Sequence, residues 1–151
     1  MTAPAEDESG ENRREVCWRI HCVRPPHEVF EALTDPEQQQ RYWCERATAT
    51  ASGYRFEFID GTVADCEVIG RRTGEWLILR YFQSRVEIRL EAAASGTDLT
   101  LTATDIPGSD WLEVYAGWIN VLLPLKAWVD FGIDLRNHDP ARTWRERFVD
   151  Q

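Results

Sequence analysis

The sequence predicts a single α+β domain: a curved antiparallel sheet of about six to seven strands, two short helices after the first strand, and a long C-terminal helix across the sheet. Two observations carry this. From Ala47 to Thr104 apolar and polar residues alternate with a period of two, as in strands with one covered and one wet face. Between Asp110 and Leu135 the period lengthens, and Trp111, Tyr115, Trp118, Leu122, Leu125 and Val129 recur at steps of three and four, an apolar stripe along one helix.

Residues 1–14 mix small, polar and charged types without an apolar period and are expected to form a flexible tail, leaving residues 15–151 as one domain. Val16, Trp18 and Ile20 alternate with Cys17, Arg19 and His21, which predicts a first strand from Glu15 to Val23, stopped by Pro25 and Pro26. Pro26 suits the first turn of a helix whose apolar side is Val29, Phe30 and Leu33 and which runs to Thr34. Asp35 before Pro36 starts a second short helix reaching Tyr42 or Trp43.

Tyr54, Phe56 and Phe58 then alternate with Arg55 and Glu57, and Ala64, Cys66 and Val68 with Asp65 and Glu67; Asp60-Gly61 between them signals a hairpin. A strand from Glu75 to Phe82 follows. Val86, Ile88 and Leu90 form the next, and Leu99, Leu101 and Ala103 the last, with Ser95-Gly96 as their turn. Ser109 or Asp110 can cap the long helix, in which Pro124 predicts a kink near Asn120 and Val121. Asp139-Pro140 predicts a short terminal helix through Trp144.

The 151 residues carry a net charge of −9 and a sequence pI of about 4.8, and no block of Lys or Arg stands out, which argues against nucleic acid or an anionic membrane surface as partner. No apolar run approaches the ~20 residues that span a bilayer, and no leader pattern opens the chain, so a cytoplasmic location is expected. Cys17, Cys22, Cys44 and Cys66 are scattered without a CxxC pair and read as reduced thiols. Neither a metal centre nor a cofactor is expected.

One strand, two short helices, several antiparallel strands and a long final helix is the order of the helix-grip fold. With Val29-Phe30-Glu31-Ala32-Leu33-Thr34-Asp35-Pro36-Glu37, Tyr42-Trp43, and Gly117-Trp118 in the last helix, the chain resembles the START-like (SRPBCC, Bet v 1-like) superfamily, especially its bacterial branch similar to the Hsp90 ATPase activator homologues. The resemblance covers about Glu15 to Leu135. It implies a cavity between sheet and last helix that holds a lipid-like or other apolar molecule, and in some members serves cyclase or related chemistry.

The residues expected to line such a cavity are Tyr54, Phe56, Phe58, Cys66, Val68, Val86, Ile88 and Leu90 on the strands and Trp111, Tyr115, Trp118 and Leu122 on the helix. Ile78 and Arg80 join them because both faces of their strand are apolar, and a buried Arg80 would need an acidic partner such as Asp105, or an anionic ligand. His21, His27 and His138 lack a nearby nucleophile, and Asp65, Glu67, Glu87 and Glu91 fall on the wet face, so no catalytic residue is assigned. The leading expectation is a noncatalytic binder of a small hydrophobic molecule. A cyclase or hydrolase would need Arg80, Asp105, Tyr54 and Tyr115 to converge. An interaction module, either a homodimer or a chaperone partner, would use an aromatic patch of Trp43, Trp128 and Trp144.

Overall fold

The computed structural model describes Ala5–Glu6 and residues 12–151. The strands are β1 (Ala5–Glu6), β2 (Asn12–Cys22), β3 (Arg46–Ala49), β4 (Gly53–Glu57), β5 (Val63–Arg72), β6 (Trp76–Tyr81), β7 (Ser84–Ala93) and β8 (Gly96–Pro107), and the α-helices are α1 (Pro26–Thr34), α2 (Pro36–Gln39) and α3 (Trp111–Phe131). All strands pair antiparallel in one sheet of order β1-β2-β8-β7-β6-β5-β4-β3. Most of the expected tail lies outside the described residues; residues 12–14 extend β2, which takes up β1 along its edge.

Alternation sets the two faces. Opposite each other in the ladders stand Tyr54 and Cys66, Leu79 and Val86, Ile88 and Leu101, and Leu90 and Leu99, all buried beneath the helices. The other face carries cross-strand charge pairs such as Arg55 with Asp65 and Arg80 with Glu67, each at 3.9 Å. Irregularities in register between Arg14 and Val16 and between Val68 and Gly70 bend and twist the sheet. The hairpin glycines Gly61 and Gly96 have φ of 87° and 130°, where a side chain would be strained.

The helix corner is built on local signals. Pro26 starts α1, and Asp35 ends it in extended conformation, as a residue before proline prefers. Asp35 then caps α2 by accepting from Glu37 N at 3.1 Å. With no glycine to turn back over its end, the last carbonyls of α1 are met by side chains: Tyr42 Oη donates to Ala32 O, Gln39 Nε2 to Leu33 O, and Tyr54 Oη to Thr34 O, each at 2.8 Å.

α3 lies along β2 and is fastened at both ends. Near its start Trp111 Nε1 donates to Glu15 O at 2.9 Å and Trp18 Nε1 to Tyr115 O at 3.1 Å. Near its end Lys126 Nζ reaches His21 O at 2.5 Å and Asp130 Oδ2 at 2.7 Å, while Val23 N donates to Asp130 Oδ1 at 3.0 Å. The helix stops at Phe131, short of the expected Leu135, because Gly132 adopts a left-handed φ of 67° and closes the last turn. Beyond it the expected terminal helix is reduced to a single 3-10 turn, Trp144–Glu146. Among the described residues no helix is long and apolar enough to cross a membrane.

Candidate ligand cleft

Where α3 leans toward β2, its opposite side stands away from the ends of β4, β5 and β6, and a cleft of about 440 Å³ opens there. Five pieces of chain wall it: Tyr42 and Trp43 after α2; the turn carrying Phe58 to Thr62; the turn carrying Tyr81 to Ser84; Val114, Gly117, Trp118, Asn120 and Val121 of α3; and Arg136, Trp144 and Gln151 of the final segment. The inner wall is aromatic. Trp43 lies 4.8 Å from Phe56, 5.6 Å from Tyr81 and 6.0 Å from Trp118 between ring centroids, and Tyr81 lies 5.5 Å from Trp118. Such tilted and edge-on pairs match ring edges to ring faces and hold the rings rigidly.

Two hydroxyls differ in their availability. Tyr42 spends its proton on Ala32 O. Tyr81 accepts from Trp43 Nε1 at 3.3 Å, and its own proton meets no acceptor among the described residues. Burial pushes the ionisation of both phenols upward. They therefore stay neutral, able to donate and unsuited to act as bases at neutral pH. The thiols of Cys44 and Cys66 are likewise pushed up to about 12 by burial, which keeps them protonated and poorly nucleophilic. Among the described residues no His, Cys, Asp and Glu cluster could hold a metal.

Phe82 sits at the mouth, 56% exposed, with Phe58 at 6.4 Å and Tyr81 at 4.6 Å. It occupies the first position of a two-residue turn in which Phe82 and Gln83 have φ of 45° and 67°. Bulky residues rarely adopt that conformation, which glycine or asparagine usually fills. The absence of such a residue is why the sequence reads as strand through Phe82.

The final segment borders the cleft, irregular apart from its 3-10 turn, and is held by polar contacts. Arg136 donates through Nε to Asp134 Oδ1 at 3.1 Å, through Nη2 to Asp134 Oδ2 at 3.0 Å and Gln40 O at 2.5 Å, and through Nη1 to Cys44 O at 2.6 Å. His138 spans Glu45 at 2.7 Å and Asp134 at 2.9 Å. Burial opposes ionisation of Asp134, but hydrogen bonds from Arg136, its charge, and a bond from His138 outweigh that and hold the carboxyl below its ordinary value.

Of the residues expected to line a cavity, Phe58 and Trp118 border this cleft. Phe56, Val86, Ile88, Leu90 and Leu122 are core, and Val68 packs on its margin. Trp111 and Tyr115 pack with tilted rings 4.9 Å apart against the β2 side instead. Ile78 and Arg80 are on the outer face, a parity the apolar neighbours Trp76 and Phe82 concealed; Arg80 is exposed and pairs with Glu67, so Asp105 is not its partner. Tyr54, Cys66 and Arg80 border a second depression of about 680 Å³ over β4 and β5, which no helix covers. The set needed for a cyclase or hydrolase does not converge: Tyr54 is committed to Thr34 O, Tyr115 faces Trp18 at 4.6 Å, and Arg80 points away from the helices. Nor do Trp43, Trp128 and Trp144 form an exposed patch. Trp43 is core, Trp128 donates to Gln38 Oε1 at 3.2 Å, and Trp144 borders the cleft. No spacing in the sequence marks Tyr81, Arg136 or Gln151 as lining residues, and for Tyr42 the one signal is the aromatic pair Tyr42-Trp43.

A curved antiparallel sheet gripped by one long helix is matched by the family model for activator of Hsp90 ATPase homolog 1-like proteins over residues 24–130. The chain belongs to that family. As a member of the activator of Hsp90 ATPase homolog 1-like family, it shares its fold with protein SSP2350 from Staphylococcus saprophyticus, at 18% identity and a TM-score of 0.72 over 82% of this chain and 96% of that one. The Aha1 dimer from Colwellia psychrerythraea superposes at 18% identity and a TM-score of 0.71, covering 79% and 98% of the two chains. DynU16, encoded in the dynemicin biosynthetic locus, matches at 27% identity and a TM-score of 0.70 over 80% of this chain and 48% of that one. No curated protein matches the chain. The family match stops before Gly132, so Arg136, Trp144 and Gln151 lie beyond it.

Proposed function

We propose that this protein binds a small hydrophobic molecule in the cleft between the aromatic end of its sheet and α3, without transforming it. The observation that carries this is the cleft's composition: rigid aromatic walls around one neutral hydroxyl, Tyr81, whose proton is unclaimed among the described residues. Apolar walls with a few convergent polar groups are the usual make-up of small-molecule sites. Burial of the ligand's surface would supply affinity at roughly 25 cal/mol per Å² before ordering costs, and Tyr81 would orient it.

Gly117 provides the test. A Cβ built there meets nothing within 4 Å, so its missing side chain leaves part of the cleft open. Gly117→Leu should fill that space while favouring the helix by up to about 1 kcal/mol. The expected outcome is lost binding of small apolar molecules, by native mass spectrometry of the purified protein, with unchanged or higher Tm. Undiminished ligand occupancy in a folded Gly117→Leu variant would remove the cleft from consideration.

A second reading, self-association into a homodimer, is favoured by large apolar side chains left in solvent at the end of α3 and just after it: Leu123, Phe131, Ile133 and Leu135 are 51% to 68% exposed. Sedimentation velocity at several concentrations should then reveal a dimer that Phe131→Asp shifts to monomer. A concentration-independent monomer would dismiss it.

A further inference from the structure

The charges around the cleft do not balance. Asp60, Asp110 and Glu113 border it, and all three are exposed at its mouth. Asp60 sits in the β4–β5 turn with Oδ1 accepting from Thr62 N at 2.9 Å. Asp110 precedes α3 and makes no capping hydrogen bond with its side chain, and Glu113 lies in the first turn of the helix. None of the three forms a salt bridge among the described residues.

The cleft's basic lining residue, Arg136, does not offset them. Its guanidinium is 5% exposed and is consumed by the Asp134 carboxylate and by the carbonyls of Gln40 and Cys44. Among the described lining residues an incoming anion would thus find no free donor of positive charge, and it would have to pass three carboxylates. Behind the carboxylates stand the aromatic rings of Trp43, Phe58, Tyr81, Phe82, Trp118 and Trp144. Ring faces are the negative pole of the aromatic quadrupole, so they attract cations and repel anions. The net charge of −9 acts in the same sense at longer range.

We infer that the ligand is a lipophilic organic cation, an amine or quaternary ammonium on an apolar body, whose charge lies at the carboxylate mouth while its body lies against the aromatic walls. This rests on the cleft being a ligand site and adds the sign of the ligand's charge. A fatty acid or other lipophilic carboxylate is the wrong guest for this lining.

Three naphthalene probes that differ only in substituent, trimethylammoniomethyl, hydroxymethyl and carboxylate, test it by isothermal titration calorimetry on the full chain. The ammonium probe should bind about tenfold tighter than the alcohol, the carboxylate should bind least, and added salt should weaken only the ammonium complex. Neutralising the mouth with Asp60→Asn, Asp110→Asn and Glu113→Gln together should bring ammonium and alcohol within about twofold of each other. A control of equal charge change away from the cleft, Glu31→Gln, Glu75→Gln and Glu91→Gln, should preserve the preference. Carboxylate binding as tight as ammonium, or equal loss in the mouth and control variants, overturns the inference while leaving the binding site in place. Binding of none of the three probes removes the site and this inference with it.

Discussion

Asp134 shows how one carboxyl can govern a whole segment. Its pKa is depressed in the folded protein, so it contributes stability that is fully present above the ordinary value of 3.8 and is lost as pH falls through the lower folded value. The docking of residues 132–151 is therefore expected to hold at neutral pH and loosen only in acid, below about pH 4. Differential scanning calorimetry down to about pH 3 should show a fall in Tm that Asp134→Asn flattens; identical acid limbs for both proteins would deny the carboxyl this role. Single residues were also where sequence reading fared worst. Arg80 was drawn inward by Trp76 and Phe82, yet strand parity with Glu67 sends it outward. Tyr54 is buried on the covered face, and the task of its hydroxyl, closing the end of α1, depends on a neighbour that no spacing reveals.

Element ends that carry a local signal are legible and those without one are not: α2 starts at Pro36 as expected but ends at Gln39, short of Tyr42 or Trp43, where the chain goes into turns. α1 runs from Pro26 to Thr34 as read, since proline and the residue before proline act within a few bonds. The Phe82-Gln83 turn carries no comparable mark, and after Gly132 the Asp139-Pro140 signal yields only a turn and the single 3-10 turn Trp144–Glu146; both stretches border the cleft. That final segment is fastened chiefly by Arg136, which gives the element its own test. Arg136→Ala leaves the carbonyls of Gln40 and Cys44 without their donor and frees Asp134, and should cost about 2–4 kcal/mol. Urea unfolding monitored by far-ultraviolet circular dichroism would measure it. A cost below about 0.5 kcal/mol would mean that apolar contacts, not this guanidinium, hold the segment.

For the molecule as a whole, the order of strands and helices could be read because each follows from its own periodicity, and the helix-grip arrangement is the way such elements bury their apolar faces together. The cleft is a different kind of object. Its walls come from remote stretches, the corner after α2, two hairpin turns, α3 and the final segment, so no spacing along the chain could have marked it. What the sequence did expose was the supply of aromatic residues from which the walls are made. The closeness of Trp43 and Trp118, whose rings are 6.0 Å apart and inclined by 66°, has a further consequence. Indoles at that range share their excited states, so the pair is a built-in chromophore whose emission and dichroic bands report on the space between α3 and the sheet. A colourless guest settling there would announce itself as a change in the protein's own light, with no label attached.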